Sequence, residues 1–139
     1  MAELDGKVAI ITGAGRLRGI GRASAVAMAR MGADIVVTGT GRDPATFPPD
    51  EKALGWKDVQ STAEQVRAQG SRALTLKVDV TDRYDVQMMI DRTLEEFGRM
   101  DILVNNAAYQ VGADRLPLLE VDADVFQRVV DIKVTGSYL

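Results

Sequence analysis

The chain has 139 residues, of which 46% are hydrophobic and 27% are charged, and its formal net charge is −3. That length and composition are typical of one soluble globular domain, and the weakly acidic balance provides no basic footprint for nucleic acid or for an anionic membrane surface. The sequence contains no cysteine and no histidine, which excludes disulfides, Cys/His zinc sites, cysteine nucleophiles and Ser-His-Asp triads within it.

Apolar runs and helical periodicity alternate along the chain, and glycines follow the ends of the first three predicted helices. Thr81 is the predicted N-cap of the third helix. In chain order, the predicted elements are strand 8–11, helix 20–31, strand 34–38, helix 58–69, strand 73–78, helix 82–97, strand 101–105 and a helix from about residue 123. Strands that are apolar throughout, each followed by a helix, predict an α/β fold with a parallel sheet covered on both faces.

One connection is longer than such loops usually are. Residues 39–57, between the second strand and its helix, include three prolines and a tryptophan. Two interpretations are open: a lid or insertion beside a ligand, and an ordered surface loop. Trp56 alone is more typical of a packing anchor for such a loop than of a ligand platform.

The stretch TGAGRLRGIG, residues 12–21, joins the first strand to the first helix. Its glycines permit positive φ and close approach of a ligand, and the N-terminus of the following helix favours a phosphate. A tight turn that merely lets helix and strand pack closely is the alternative. A P-loop NTPase is disfavoured because no lysine follows Gly21, whereas a methyltransferase is a distant third possibility on the glycines alone.

Two further motifs follow the glycine turn in order: DV at residues 79–80 and NNAA at residues 105–108. Together the three motifs resemble the N-terminal half of the short-chain dehydrogenase/reductase family, and the resemblance covers essentially the whole chain. It implies a Rossmann-type doubly wound parallel sheet, with residues 1–139 forming one dinucleotide-binding domain that stops before the catalytic half. Within these three motifs the chain departs from the family pattern in two places, since its glycine spacing is longer by two residues and Ala108 replaces the commoner glycine.

The resemblance implies a nicotinamide dinucleotide across the carboxyl edge of the sheet. The expected binding residues come from the glycine turn, from the end of the second strand, and from the DV and NNAA motifs, which flank the adenine and the adenosine side. They are Gly13, Gly15, Arg18, Gly19, Ile20, Gly21, Arg42, Asp79, Val80, Asn105 and Ala107. No acid occupies the place where NAD binders carry one, and Arg18 and Arg42 suit a 2′-phosphate, so the sequence favours NADP over NAD. The alternative for both arginines is a solvated surface charge, and Asp79 and Asn105 could have structural roles that do not exclude roles in binding.

The resemblance further implies hydride transfer between the nicotinamide and an alcohol or carbonyl substrate. In the family a serine and a tyrosine activate the substrate, with a lysine four residues after the tyrosine, and no Y-x-x-x-K occurs in this chain. Lys133 occupies the place of a family asparagine that supports a proton relay, and a lysine lacks the acceptor of a carboxamide. The predicted function is therefore the cofactor-binding half of an oxidoreductase, and the alternative is a noncatalytic dinucleotide-binding or partner subunit.

The remaining expectations concern partners and location. The N-terminus is acidic where a secretory signal would be basic and apolar, and no apolar run reaches the roughly 20 residues of a membrane helix, so we expect a cytoplasmic protein without a membrane partner. We expect a small-molecule substrate, which the sequence does not identify. The fourth strand is expected to be an open apolar edge, and an apolar stripe around Phe126 is compatible with a homodimer or homotetramer as well as with core packing.

Overall fold

Four parallel strands form the centre of the computed structural model, which describes residues 1–139. The strands are β1 (Val8–Ile11), β2 (Asp34–Gly39), β3 (Ala73–Lys77) and β4 (Ile102–Val104). Their order in the sheet is β3-β2-β1-β4, so the chain moves outward from β1 to β3 and then crosses to the other side of β1. That reversal opens a crevice at the carboxyl ends of β1 and β4, where doubly wound sheets bind ligands. The predicted doubly wound parallel sheet is confirmed.

Helices connect the strands and cover both faces of the sheet. They are α1 (Ile20–Arg30), α2 (Pro49–Ala53), α3 (Val59–Arg67), α4 (Arg83–Phe97), α5 (Ala123–Val130) and α6 (Gly136–Tyr138). A π-helical turn, Asp131–Thr135, joins α5 to α6, and 3₁₀ turns occur at Pro44–Thr46 and Leu118–Glu120. The four predicted helices correspond to α1, α3, α4 and α5, with ends that differ by one or two residues, as helix ends commonly do.

The strand β1 is buried on both faces, which explains why the run VAII is apolar throughout. Ala9 and Ile11 belong to one core, which includes small residues of α1 such as Ala25. Val8 and Ile10 belong to a second core on the opposite face, together with Met89 of α4. Alanines on α1 let that helix lie close to the sheet, and this brings its N-terminus to the carboxyl edge.

The predicted N-cap of the third helix is wrong by one residue. The side chain of Asp82 caps α4 by accepting hydrogen bonds from the backbone N–H groups of Tyr84, at 2.8 Å, and Asp85. The Thr81 hydroxyl is engaged elsewhere, because it donates to Oδ1 of Asp79 at 2.7 Å. Aspartate and threonine are both good N-caps, so sequence preference could not separate these neighbours.

The strand β4 lies at one edge of the sheet and pairs only with β1. Leu103 in this strand is 47% exposed, and Phe126 on α5 is 56% exposed. The expected open apolar edge is therefore present. None of the helices combines the length and the apolar character needed to cross a membrane.

Candidate functional site

A cavity opens at the carboxyl edge of the sheet, and all three sequence motifs contribute to its wall. Six of the predicted site residues line it: Gly13, Gly15, Arg42, Asp79, Val80 and Ala107. The others do not line it: Asn105 borders a small adjoining recess, and Arg18, Gly19, Ile20 and Gly21 lie where the glycine turn enters α1. We therefore take this cavity as the candidate functional site.

The glycine turn passes so close to the segment after β4 that side chains would not fit. Gly13 has a φ of +67°, and a Cβ built on it would lie 2.8 Å from the Cα of Ala107. A Cβ on Gly21 would lie 2.5 Å from Nδ2 of Asn106. Gly13 therefore needs glycine for both conformation and space, whereas Gly21, which lies within α1, needs it for space alone.

Asn106, which the sequence analysis did not select, ties the glycine turn to β4. Its Nδ2 donates to the carbonyl oxygens of Thr12, at 2.9 Å, and Gly13, at 3.0 Å. The Thr12 hydroxyl accepts from the backbone N–H groups of Asn106 and Ala107, both at 3.1 Å. The structural role considered for Asn105, the first asparagine of NNAA, is thus performed by Asn106, the second. Which of these neighbours faces the glycine turn depends on the register of β4.

The long segment after β2 packs against the glycine turn. The indole Nε1 of Trp56 donates to the carbonyl oxygen of Gly15 at 2.6 Å, and Oε1 of Glu51 accepts from the backbone N–H of Leu17 at 2.9 Å. Glu51 lies on α2 and is only 2% exposed. Residues 39–57 could be an insertion beside a ligand or an ordered surface loop, and the structure agrees with the first interpretation. Trp56 is the packing anchor of this insertion.

Arg42 is held by two carboxylates rather than open to a ligand. Its Nε and Nη2 donate to Oδ1 of Asp58 at 3.0 and 2.8 Å, and its Nη1 donates to Oε2 of Glu51 at 3.0 Å. The guanidinium carbon also lies 4.4 Å from the ring centroid of Phe47. Burial acts to lower the pKa of Arg42, but the two carboxylates outweigh it and raise that pKa above its ordinary value.

Arg18 is directed away from the cavity. Its side chain is 83% exposed, and its Nε pairs with Oδ2 of Asp50 at 2.8 Å. The extra length of the turn explains this position, because Arg16 to Gly19 form a tight turn closed by a 3.1 Å hydrogen bond from the Gly19 N–H to the Arg16 carbonyl. The turn carries Arg18 outward onto the long segment.

Asp58, a second residue that the sequence analysis did not select, places a carboxylate in the cavity wall. It precedes α3 and has a φ of 55°, an uncommon conformation for a residue other than glycine. A Cβ on Gly15 would overlap this carboxylate, and a Cβ on Gly39 would lie 3.6 Å from its Oδ2. Both Arg42 bonds go to Oδ1, so no protein group donates to Oδ2. No acid follows the second strand at the place where NAD binders carry one, but the fold brings Asp58 from farther along the chain to lie between the glycine turn and the end of β2.

Asp79 combines a structural role with its place in the cavity wall. Its Oδ1 accepts from the N–H and hydroxyl of Thr81 at 2.9 and 2.7 Å, and its Oδ2 accepts from Nη2 of Arg128 at 3.1 Å. Partial burial acts to raise the pKa of the Asp79 carboxyl, but the bonds from Thr81 and Arg128 outweigh it and lower that pKa. The carboxylate is therefore ionised and already paired.

Lys133 lies in the π-helical turn between α5 and α6 and is exposed. Its backbone carbonyl accepts from the Ser137 hydroxyl at 2.8 Å. No side-chain bond joins Lys133 to the cavity. The geometry thus agrees with a surface lysine.

Comparisons with known proteins agree with this geometry. The family model described as short chain dehydrogenase matches residues 7–139. The short chain dehydrogenase/reductase astE of Aspergillus oryzae is 39% identical over 135 residues, which cover 96% of this chain and 45% of that protein. Glucose 1-dehydrogenase 2 of Bacillus subtilis is 31% identical over 137 residues, covering 99% of this chain and 46% of that protein.

A solved structure of carveol dehydrogenase from Mycobacterium avium in complex with NAD is 34% identical and has a TM-score of 0.78. The match covers 99% of this chain and 48% of that one. The chain thus spans less than half the length of these three relatives. It belongs to the short-chain dehydrogenase/reductase family and corresponds to the N-terminal, cofactor-binding half.

Proposed function

We propose that the protein is an oxidoreductase that transfers hydride between a nicotinamide dinucleotide and the alcohol/carbonyl pair of a small-molecule substrate. The observation that carries this proposal is the single cavity wall to which the glycine turn, the DV pair and the NNAA segment all contribute. Its position at the reversal of strand order is where doubly wound sheets bind dinucleotides.

The residues of the cavity fit a dinucleotide. The N-cap of α1, Gly19, contributes no side-chain cap, and the first turn of α1 contains no acid, so its N–H groups are available to an anion. Gly13 and Gly15 line the cavity beside that helix end. We therefore assign the pyrophosphate to the turn formed by Gly13, Gly15, Gly19, Ile20 and Gly21.

The remaining contacts are those that the family resemblance implies. Asp79 and Val80 flank the adenine, and Ala107 and Asn105, the latter from the adjoining recess, line the adenosine side. The bound nicotinamide supplies the hydride acceptor or donor, and this chain binds and orients the dinucleotide. No Y-x-x-x-K occurs in this chain, and the role that we assign to its own residues is to hold the cofactor.

Of the two nicotinamide cofactors, we propose NAD. The sequence preference for NADP depended on Arg18 and Arg42, but Arg18 pairs with Asp50 outside the cavity and Arg42 is neutralised by Glu51 and Asp58. The Oδ2 atom of Asp58, which accepts no bond from the protein, can accept a hydrogen bond from a ribose hydroxyl. The same negative charge would repel a 2′-phosphate. The NAD complex of the carveol dehydrogenase agrees with this choice.

The experiment that tests the function uses the full-length protein that carries this chain. We expect NADH to bind, NADPH to bind more weakly, and a panel of alcohols with NAD to include at least one that is oxidised. Binding without turnover on any alcohol or ketone would favour the noncatalytic alternative. Failure to bind either dinucleotide, with affinity for S-adenosylmethionine instead, would overturn the proposal in favour of a methyltransferase.

We further propose a cytoplasmic homo-oligomer, a dimer or a tetramer. The exposed apolar side chain of Phe126 on α5 supports packing against a second copy of the protein. Light scattering of the full-length protein would contradict the oligomer if it gave the mass of one chain.

A further inference from the structure

Arg16 is a cation in the cavity wall that the chain leaves without a counter-ion. It lines the cavity together with Gly13 and Gly15, and its Nε is buried with no hydrogen-bond acceptor. The two other arginines of the wall are paired, Arg42 with Glu51 and Asp58, and Arg128 with Asp79. Neither Asp58 nor Asp79, the two carboxylates of the wall, is bonded to Arg16, so its guanidinium is available to a ligand.

The backbone on both sides of Arg16 is fixed by the long segment after β2. The peptide before it offers the Gly15 carbonyl, which accepts from Trp56 Nε1 at 2.6 Å and Arg42 Nη2 at 3.3 Å. The peptide after it offers the Leu17 N–H, which donates to Glu51 at 2.9 Å. Arg16 thus lies in a loop whose backbone is already held in place. This reduces the entropy that the loop loses when it binds a ligand.

A partly buried guanidinium without an acceptor is costly, and a phosphate is the partner that matches its planar donors best. Arg16 belongs to the stretch by which the glycine turn is longer than the family pattern. We propose that Arg16 binds the pyrophosphate of the dinucleotide, so that the lengthened turn supplies a cation in addition to backbone N–H groups. This assignment rests on the proposed dinucleotide-binding function.

A dinucleotide offers two sources of phosphate, the pyrophosphate and, in NADP, the 2′-phosphate. Calorimetric titration of the full-length protein with adenosine, ADP-ribose and 2′-phospho-ADP-ribose separates them. We expect R16Q to weaken ADP-ribose at least about tenfold, as the loss of a charge-assisted hydrogen bond predicts, and to leave adenosine within about twofold. The R16K variant, which keeps the charge without the fork, should fall between R16Q and the wild type.

R18Q is the matched control, because it removes the same charge from the same turn at an exposed position outside the cavity. We expect it to bind all three ligands within about twofold of the wild type. Thermal unfolding of each variant checks the fold, and R16K keeps the test decisive if R16Q is unstable.

The assignment would be overturned by equal losses for adenosine and ADP-ribose or by equal effects of R16Q and R18Q. A loss confined to 2′-phospho-ADP-ribose would also overturn it, because it would move Arg16 to the 2′-phosphate. A wild-type protein that binds no ADP-ribose would overturn the proposed function as well. Unchanged ADP-ribose binding by R16Q would remove Arg16 alone.

Discussion

The indole of Trp56 donates its N–H to the carbonyl oxygen of Gly15 at 2.6 Å. This bond joins the two places where the chain is longer than expected, the glycine turn and the segment after β2. Glu51 forms a second link by accepting from Leu17. The lengthened glycine turn and the lengthened segment after β2 therefore form one structural feature, in which the segment supports the turn.

Removing the indole donor should loosen the glycine turn. W56F keeps an aromatic ring but leaves the Gly15 carbonyl with only the 3.3 Å bond from Arg42. We expect the free energy of unfolding to fall by about 1 kcal/mol, the usual net value of one hydrogen bond, and ADP-ribose to bind more weakly. Urea unfolding followed by circular dichroism measures the first effect, and unchanged stability would show that the bond contributes nothing.

Glu51 should be among the most sensitive charged residues of the chain. E51A leaves the Leu17 N–H without its acceptor and removes one of the two carboxylates that neutralise Arg42. We expect a loss of about 2–4 kcal/mol in the free energy of unfolding, and a smaller loss for E51Q. D50N, in the neighbouring exposed pair with Arg18, should change stability by less than about 1 kcal/mol. Similar values for E51A and D50N would contradict the proposed support of the turn.

Asp58 should decide between the two nicotinamide cofactors. D58N keeps a side chain that tolerates a positive φ but removes the negative charge beside Gly15 and Gly39. We expect the ratio of NADPH to NADH affinity to rise about tenfold or more. E51Q is the control, since it weakens the hold on Arg42 but leaves the Asp58 carboxylate in place. If E51Q raised the ratio as much as D58N, the freed arginine rather than Asp58 would be responsible.

Gly13 should be far more sensitive than a glycine that is needed only for its conformation. G13A places a Cβ 2.8 Å from Ala107 Cα at a φ of +67°, whereas Gly70 has a φ of +93° with nothing within 4 Å of the built Cβ. We expect G70A to cost about 1 kcal/mol and G13A to cost several times as much and to abolish ADP-ribose binding. Equal unfolding midpoints for the two variants would contradict the close approach of the turn to Ala107.

Asp101 links stability to pH at the start of β4. The hydrogen bond from Arg99, followed by that from the Val8 N–H, lowers the pKa of Asp101 from 3.8 to about 2. Because the folded pKa lies below the unfolded one, this contribution is complete above 3.8 and is lost as the pH falls toward 2. We therefore expect D101N to be less stable than the wild type at neutral pH, with the difference shrinking below about pH 4. A pH-independent difference in unfolding midpoint would contradict this coupling.

The sheet could be predicted from the sequence because its signals are local. Fully apolar runs such as Val8–Ile11 belong to strands buried on both faces, and glycines such as Gly98 end helices in the left-handed conformation. The helix α2 was missed because its five residues are too few for a periodicity to appear. Its start is nevertheless marked by Pro49 at the first position and by acids in the first turn.

The site was less predictable because its partners come from distant parts of the chain. Arg42 has the chemistry of a phosphate ligand, and nothing local indicates that Glu51 and Asp58 neutralise it. Asp58 reaches the end of β2 only because the intervening segment folds back over the glycine turn. The position of Arg16, and not its residue type, separates it from Arg18 two residues later.

Thr12 and Asn106, which are bonded through the Thr12 hydroxyl and carbonyl, lie 94 residues apart in the sequence. During synthesis the glycine turn leaves the ribosome early, yet its anchor arrives only after three more strands and the helices α1 to α4 have been made. Closing so long a loop is slow compared with pairing neighbouring elements. The glycine turn should therefore be the last part of this half to become rigid. A nascent chain that ends before Asn106 should contain the glycine motif without the conformation that Asn106 imposes on it.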